Sequence, residues 1–154
     1  YAEADFVRLA NPTSPVSGVV FGNVALIKSA YKASEISGVV GRQVEFVPAI
    51  NLKSGARIGY KNLKASFQYT YLSDQFSDAT NARDGGVSSV IGLIPAYAIM
   101  DASVSYEFKR FRIESSLNNL TNQFYYTRRA TGYPGPGILP SDGRGVYLTL
   151  QIRL

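Results

Sequence analysis

VYLTLQIRL, Val146 to Leu154, closes the chain and decides how the rest is read. Val146, Leu148, Leu150, Ile152 and Leu154 are aliphatic, and Tyr147, Thr149, Gln151 and Arg153 alternate with them. Side chains along a strand point to opposite faces with a period of two, so the aliphatic set shares one face. Such a face needs cover, from a second sheet or from lipid. The length matches the ~9–11 residues with which a tilted strand crosses a bilayer, which favours lipid.

Working outward, the same alternation recurs. Phe111, Ile113, Ser115 and Leu117 interleave with Arg112, Glu114, Ser116 and Asn118. Ala98, Met100, Ala102, Val104, Tyr106 and Phe108 interleave with Asp101, Ser103, Ser105 and Glu107. Leu63 to Tyr71 and Ile50 to Tyr60 behave alike, and Lys61-Asn62 and Lys109-Arg110 read as tight hairpin turns. Val19 to Ala33 is β-prone but open in phase: Phe21, Ala25 and Ile27 compete with Val20, Val24 and Leu26. Tyr1 to Leu9 reads as a short, weakly alternating strand, followed by a turn holding Pro12 and Pro15. The pattern predicts seven strands. Their connections alternate between short (10–17, 61–62, 109–110) and long (34–47, 73–95, 119–144), as in a membrane barrel with brief turns at one rim and long loops at the other. The charged face, with Lys53, Arg57, Lys64, Asp101, Glu107, Arg112, Glu114 and Arg153, is expected to line a polar lumen.

Alternation alone also fits a soluble β-sandwich, wet on one face. Sandwich strands run to about 5–6 residues, whereas these run near ten. Aromatic residues also sit near the strand ends, at Tyr60, Tyr69, Tyr71, Tyr106, Phe108 and Phe111, where membrane barrels carry aromatic girdles.

Composition narrows the chemistry. The 154 residues include no Cys and no His, which removes disulfides, thiolate metal sites and the commonest general base. Eleven Tyr and eight Phe without Trp suit a β-rich chain. No apolar run approaches the ~18–20 residues of a membrane helix. The net charge of +5 is scattered over turns and loops without a basic stripe, which argues against nucleic acid. Asp74/Asp78 and Asp84/Asp101 are separated by loop or strand face, and Ser141-Asp142 has no His to complete a triad. Gly85–Val87 and GYPGPG at 132–137 lack the strand–loop–helix setting of a phosphate cradle. The expectation is a protein that is not an enzyme.

Three stretches carry a family resemblance: NNLTNQFYYTRRATGYPGPGILPSDGR (Asn118 to Arg144) with the terminal strand, GRQVEFVPAINLKSGARIGYKN (Gly41 to Asn62), and YTYLSDQFSDATNA (Tyr69 to Ala82). Together they resemble the C-terminal part of TonB-dependent outer-membrane receptors, most of all the ferric citrate branch. The resemblance implies that residues 1–154 are the last seven or so strands of a barrel of about 22, an open, curved antiparallel sheet when taken alone. A plug domain and the N-terminal strands would lie outside this chain, as would the signal peptide of a bacterial outer-membrane protein. Function, by the same resemblance, is uptake of a ferric chelate, citrate or another siderophore, carried as ligand with no covalently bound cofactor. Its partners would be the TonB–ExbB–ExbD complex acting through the plug, outer-membrane lipid and lipopolysaccharide, and the barrel-assembly machinery reading the last strand. Barrels of this family usually end in an aromatic residue, where Leu154 stands here. A passive pore, or a receptor for cobalamin or a glycan, is the first alternative, and a soluble β-sandwich adhesin the second.

The loop arginines Arg42, Arg83, Arg128, Arg129 and Arg144 are the candidate ligand contacts, because a guanidinium fork matches the carboxylates of a ferric chelate. No metal-ligating set is expected. Val146, Leu148, Leu150, Ile152 and Leu154 are expected to face lipid.

Overall fold

The structure, a computed structural model, describes residues 1–133 and 135–153. Seven strands form one antiparallel sheet, each hydrogen-bonded to the next in chain order. They are β1 (Ala2–Asp5), β2 (Val16–Leu26), β3 (Ile50–Tyr60), β4 (Leu63–Leu72), β7 (Tyr97–Phe108), β8 (Phe111–Asn118) and β11 (Gly145–Ile152). Two small hairpins stand apart in the long connections: β5 (Gln75–Phe76) with β6 (Leu93–Ile94), and β9 (Tyr126–Ala130) with β10 (Gly137–Pro140). The outer edges of β1 and β11 have no strand partner among the described residues.

The expected strands are present, with two corrections at the start. The strand expected over Tyr1–Leu9 stops at Asp5, and a helical turn, α1 (Phe6–Ala10), follows. Asp5 caps it by accepting the Arg8 N–H at 3.0 Å, so a short polar side chain ends the ladder and opens the turn. The stretch expected over Val19–Ala33 begins earlier and ends at Leu26.

Register settles the open phase. Val20 pairs with Ala56, Val24 with Leu52 and Leu26 with Ile50, whereas Phe21 faces Gly55. Directly paired residues share a face, so Val20, Val24 and Leu26 join the apolar one. The same rows continue across the sheet: Ala56 with Phe67, Phe67 with Ala102, Ala102 with Leu117, and Leu117 with Val146. Val146, Leu148, Leu150 and Ile152 thus share a face with the apolar positions of every other main strand. Leu154 lies outside the described residues.

Apart from the α1 turn, whose Phe6 and Val7 side chains lie over the buried Gly18, nothing among the described residues packs on that apolar face. Leu148 is 77% exposed, Leu26 75% and Leu150 60%. The buried hydrophobic residues among those described are Val39, Ile94, Ile99 and Ala130, all in the long loops or at the loop end of β7. A sandwich would put a second sheet here; the fold is a single layer. Soluble monomers rarely expose continuous apolar patches beyond a few hundred Å², and six strands of outward Leu, Val, Ile, Phe and Tyr, with Ala2 and Ala4 of β1 beside them, exceed that.

The rows also give the strand tilt. Leu63, beside the β3–β4 turn, pairs with Tyr106, while the β7–β8 turn follows Phe108, two residues further along. That is one residue of stagger per strand. A step of ~3.3 Å along the chain against ~4.8 Å between strands corresponds to a tilt of about 35°, within the range of closed barrels. At that tilt the eleven residues of β3 rise about 27 Å, close to the ~25 Å apolar band of an outer-membrane barrel. Both two-residue turns place a lysine, Lys61 (φ 50°) and Lys109 (φ 53°), in the left-handed region.

Candidate functional site

Two surfaces carry the polar chemistry: the face opposite the apolar one, and the three long loops at one rim.

The polar face is a shallow groove of about 320 Å³ crossing β2, β3, β4, β7 and β8, where Ser17, Ser66, Ser103 and Ser105 are interspersed with Arg57, Lys64, Arg112 and Glu114. Ser66 and Ser103 are bonded through their hydroxyls at 2.8 Å. Towards the short turns Arg112 joins Glu114 at 2.9 Å and Glu107 at 3.9 Å, and Arg153 reaches Glu107 at 3.9 Å. On the other flank Arg57 pairs with Glu3 at 3.0 Å and lies over the Phe21 ring, 4.9 Å from its centroid. Phe21 in turn lies over Gly55, where a Cβ would meet Phe21 Cζ at 2.5 Å and the Phe67 carbonyl oxygen at 2.4 Å. Only glycine fits beneath that ring. Of the residues expected to line a lumen, Lys53, Arg57, Lys64, Asp101, Glu107, Arg112 and Glu114 fall on this face by register, and Arg153, just past the end of β11, reaches Glu107 on it.

The loops are built by asparagines. Asn119 (φ 51°), 3% exposed, donates its N–H to Asp101 Oδ1 at 2.9 Å and its Nδ2 to the Gln123 carbonyl at 2.9 Å, while its Oδ1 accepts the Gln123 N–H at 2.9 Å. Asn122 (φ 50°) accepts the Arg144 N–H at 3.0 Å. Asparagine tolerates this backbone region because its amide can replace backbone partners, so NNLTN fastens both ends of the 119–144 loop. Beside it, Asp101, Asn119, Tyr125, Asp142 and Tyr147 line a recess of about 210 Å³. In the first long loop, Tyr31 donates its hydroxyl to Glu45, and that carboxylate holds the Tyr31 phenol above its ordinary pKa.

The five candidate arginines separate. Arg42 is exposed and bonds the Gly38 carbonyl through Nε at 3.2 Å. Arg83 and Arg144 are exposed, their backbones tied into loop contacts. Arg128 is exposed and has no hydrogen bond or ion pair from its side chain among the described residues. Arg129, its neighbour on β9, is half-buried and committed: Nη1 to the Ser89 carbonyl at 2.8 Å, Nη2 to the Leu93 carbonyl at 2.9 Å and to Tyr126 Oη at 3.0 Å, with the Tyr126 ring 5.3 Å away. Asn81 and Asn119, which hold these loops, carry no charge that marks them in the sequence; Asn81 is a lone loop Asn, and Asn119 lies in the NNLTN stretch without anything to single it out from its neighbours.

No protein-family model matches the chain, and no curated protein matches it. Solved structures do. The sheet has the fold of a barrel segment of TonB-dependent siderophore receptors, as the resemblance implied. The ferric citrate transporter FecA, in its unliganded form, aligns with TM-score 0.82 at 21% identity, covering 97% of this chain and 22% of that one. The ferric yersiniabactin uptake receptor FyuA from Yersinia pestis gives 0.68 at 21% identity, over 89% of this chain and 21% of that one. The ferric-catecholate import receptor Fiu from K12 E. coli, in its closed form, gives 0.68 at 16% identity, over 89% and 20%. At these identities the likeness establishes the fold. The chain spans about a fifth of the length of the solved structures it matches.

Proposed function

We propose that this chain forms part of the wall and outer mouth of a bacterial outer-membrane receptor for a ferric chelate, driven by the TonB–ExbB–ExbD complex through parts outside the chain. One observation carries the reading: a single-layer sheet, staggered by one residue per strand, with one face apolar from edge to edge and the other polar. Such a sheet suits a barrel wall, lipid outside and water inside. The short turns then lie on the periplasmic side, and the long loops meet lipopolysaccharide and ligand. The barrel-assembly machinery engages the last strand. Ferric citrate is the first candidate cargo, because exposed loop arginines suit a carboxylate-rich anion.

The test uses the full-length protein in iron-starved cells deleted for their other ferric-chelate receptors. Radioiron-labelled ferric citrate should accumulate when TonB is present and stop when TonB is deleted. Uptake that persists without TonB identifies a passive pore. Uptake of other siderophores but not citrate removes the citrate assignment and keeps the receptor.

A further inference from the structure

The three long connections, 27–49, 73–96 and 119–144, touch through a small set of specific bonds. Between the first and second, the Asn81 amide (φ 53°) bonds Gln43 as a strand partner would. Its Oδ1 accepts the Gln43 N–H at 2.7 Å, and its Nδ2 donates to the Gln43 carbonyl at 2.8 Å. The Phe46 N–H reaches the Phe76 carbonyl at 2.8 Å alongside. Between the second and third, Arg129 places its guanidinium on the Ser89 and Leu93 carbonyls, and the Tyr126 hydroxyl also reaches Leu93 at 3.2 Å. The second loop is shaped for this contact. A Cβ on Gly85 would lie 3.0 Å from Arg129 Nη1, and Gly92 (φ 124°) turns the chain so that Leu93 can present its carbonyl. Ile94, the residue after Leu93 in β6, is fully buried.

The geometry points to a preassembled mouth: Asn81 and Arg129 are positioning residues that fasten the three long loops into one body, which moves as a unit or not at all. Each fastener bonds backbone groups of a loop other than its own, so loosening one frees its neighbour. This is independent of which ligand the protein binds. It also divides the adjacent arginines: Arg129 is held inside the assembly, and Arg128 is left for whatever approaches from solvent.

Hydrogen exchange on the full-length protein in detergent tests it. Arg129→Lys keeps the charge and removes the fork. Exchange of amides in 84–93, on the neighbouring loop, should rise about tenfold or more, while the sheet and the heat-modifiability of the barrel stay unchanged. Asn81→Ala should do the same to 43–46, and Arg128→Ala should change neither. Exchange that rises only within the mutated loop, or not at all, overturns the proposal. A second measurement needs no weakening variant. The 154 residues contain no cysteine, so in a full-length background freed of any cysteine elsewhere spin labels can be placed at the exposed Glu35, Val87 and Tyr133. Pairs between loops should give single narrow distance distributions; broad distributions, with the barrel intact, overturn it.

Discussion

Arginine placed at Leu150 or at Thr149 separates the two faces of the last strand with one-residue resolution. Leu150 pairs with Ile113, in the row of Tyr106 and Leu63, while Thr149 pairs with Glu114. Because the short turns step down by about one residue per strand, the short-turn edge at β11, periplasmic in the proposed receptor, lies roughly four residues beyond Leu150. At ~3.3 Å per residue and a ~35° tilt, Leu150 is about 10 Å inside a ~25 Å apolar band, close to its middle. Arginine on the lipid face at that depth costs about 2–4 kcal/mol. Little of that is lost protein packing, since Leu150 is 60% exposed on this sheet. Thr149→Arg extends into the polar side opposite Glu114 and should change stability by less than about 1 kcal/mol. Reversible unfolding of the full-length barrel in detergent micelles, with heat-modifiability on gels, measures both. Equal loss, or greater loss from Thr149→Arg, refutes the facing of the strand and the membrane reading with it.

Other expectations follow from specific contacts. Gly55→Ala should destabilise the barrel by about 1–3 kcal/mol, because its Cβ meets a backbone oxygen that cannot move aside, whereas Gly22→Ala, with nothing nearer than 3.9 Å, should be nearly neutral; equal melting shifts would contradict this. Arg128→Ala should weaken binding of ferric citrate by about tenfold at normal surface abundance, the size of one lost charge-assisted hydrogen bond, and unchanged affinity by titration would remove Arg128 from the ligand site. Expressed alone, residues 1–154 should aggregate or remain detergent-dependent, since both sheet edges and the apolar face are uncovered; a soluble monomer that unfolds cooperatively would contradict it.

The strands were legible because facing in a sheet is a local property with a period of two. Ile50–Tyr60 and Val146–Ile152 each show it without help from a neighbour. Val16–Leu26 does not: Phe21 and Val20 are equally apolar, and only pairing with Gly55 and Ala56 decides between them. The turn at Phe6–Ala10 was missed because its residues are apolar enough for a strand, and the Asp5 cap that redirects them is one side chain. Among the loops, β5, β6, β9 and β10 are too short for periodicity to register. β9 and β10 pair with each other nearby, and the seating of that hairpin on β5–β6 rests on bonds between residues far apart in the chain, as Arg129 to Ser89. For the same reason, five arginines of one composition could not be divided into exposed and committed ones before their partners were known.

The serines of the polar groove have a mechanical consequence. Ser17, Ser66, Ser103 and Ser105, with Gly59 among them, project at most two heavy atoms from the wall. Resistance to sliding between packed surfaces comes from side chains that interdigitate and must be lifted together before either surface can shift. This stretch of wall has low relief, so a body lying against it can translate by exchanging hydrogen bonds one at a time with the hydroxyls. The corrugation rises where Lys64 stands between Gly59 and Ser105 and Arg57 between Val19 and Ser66, and again at Arg112 and Glu114. The wall is therefore smooth in short stretches and indexed by the long charged side chains between them, the texture of a bearing surface with detents.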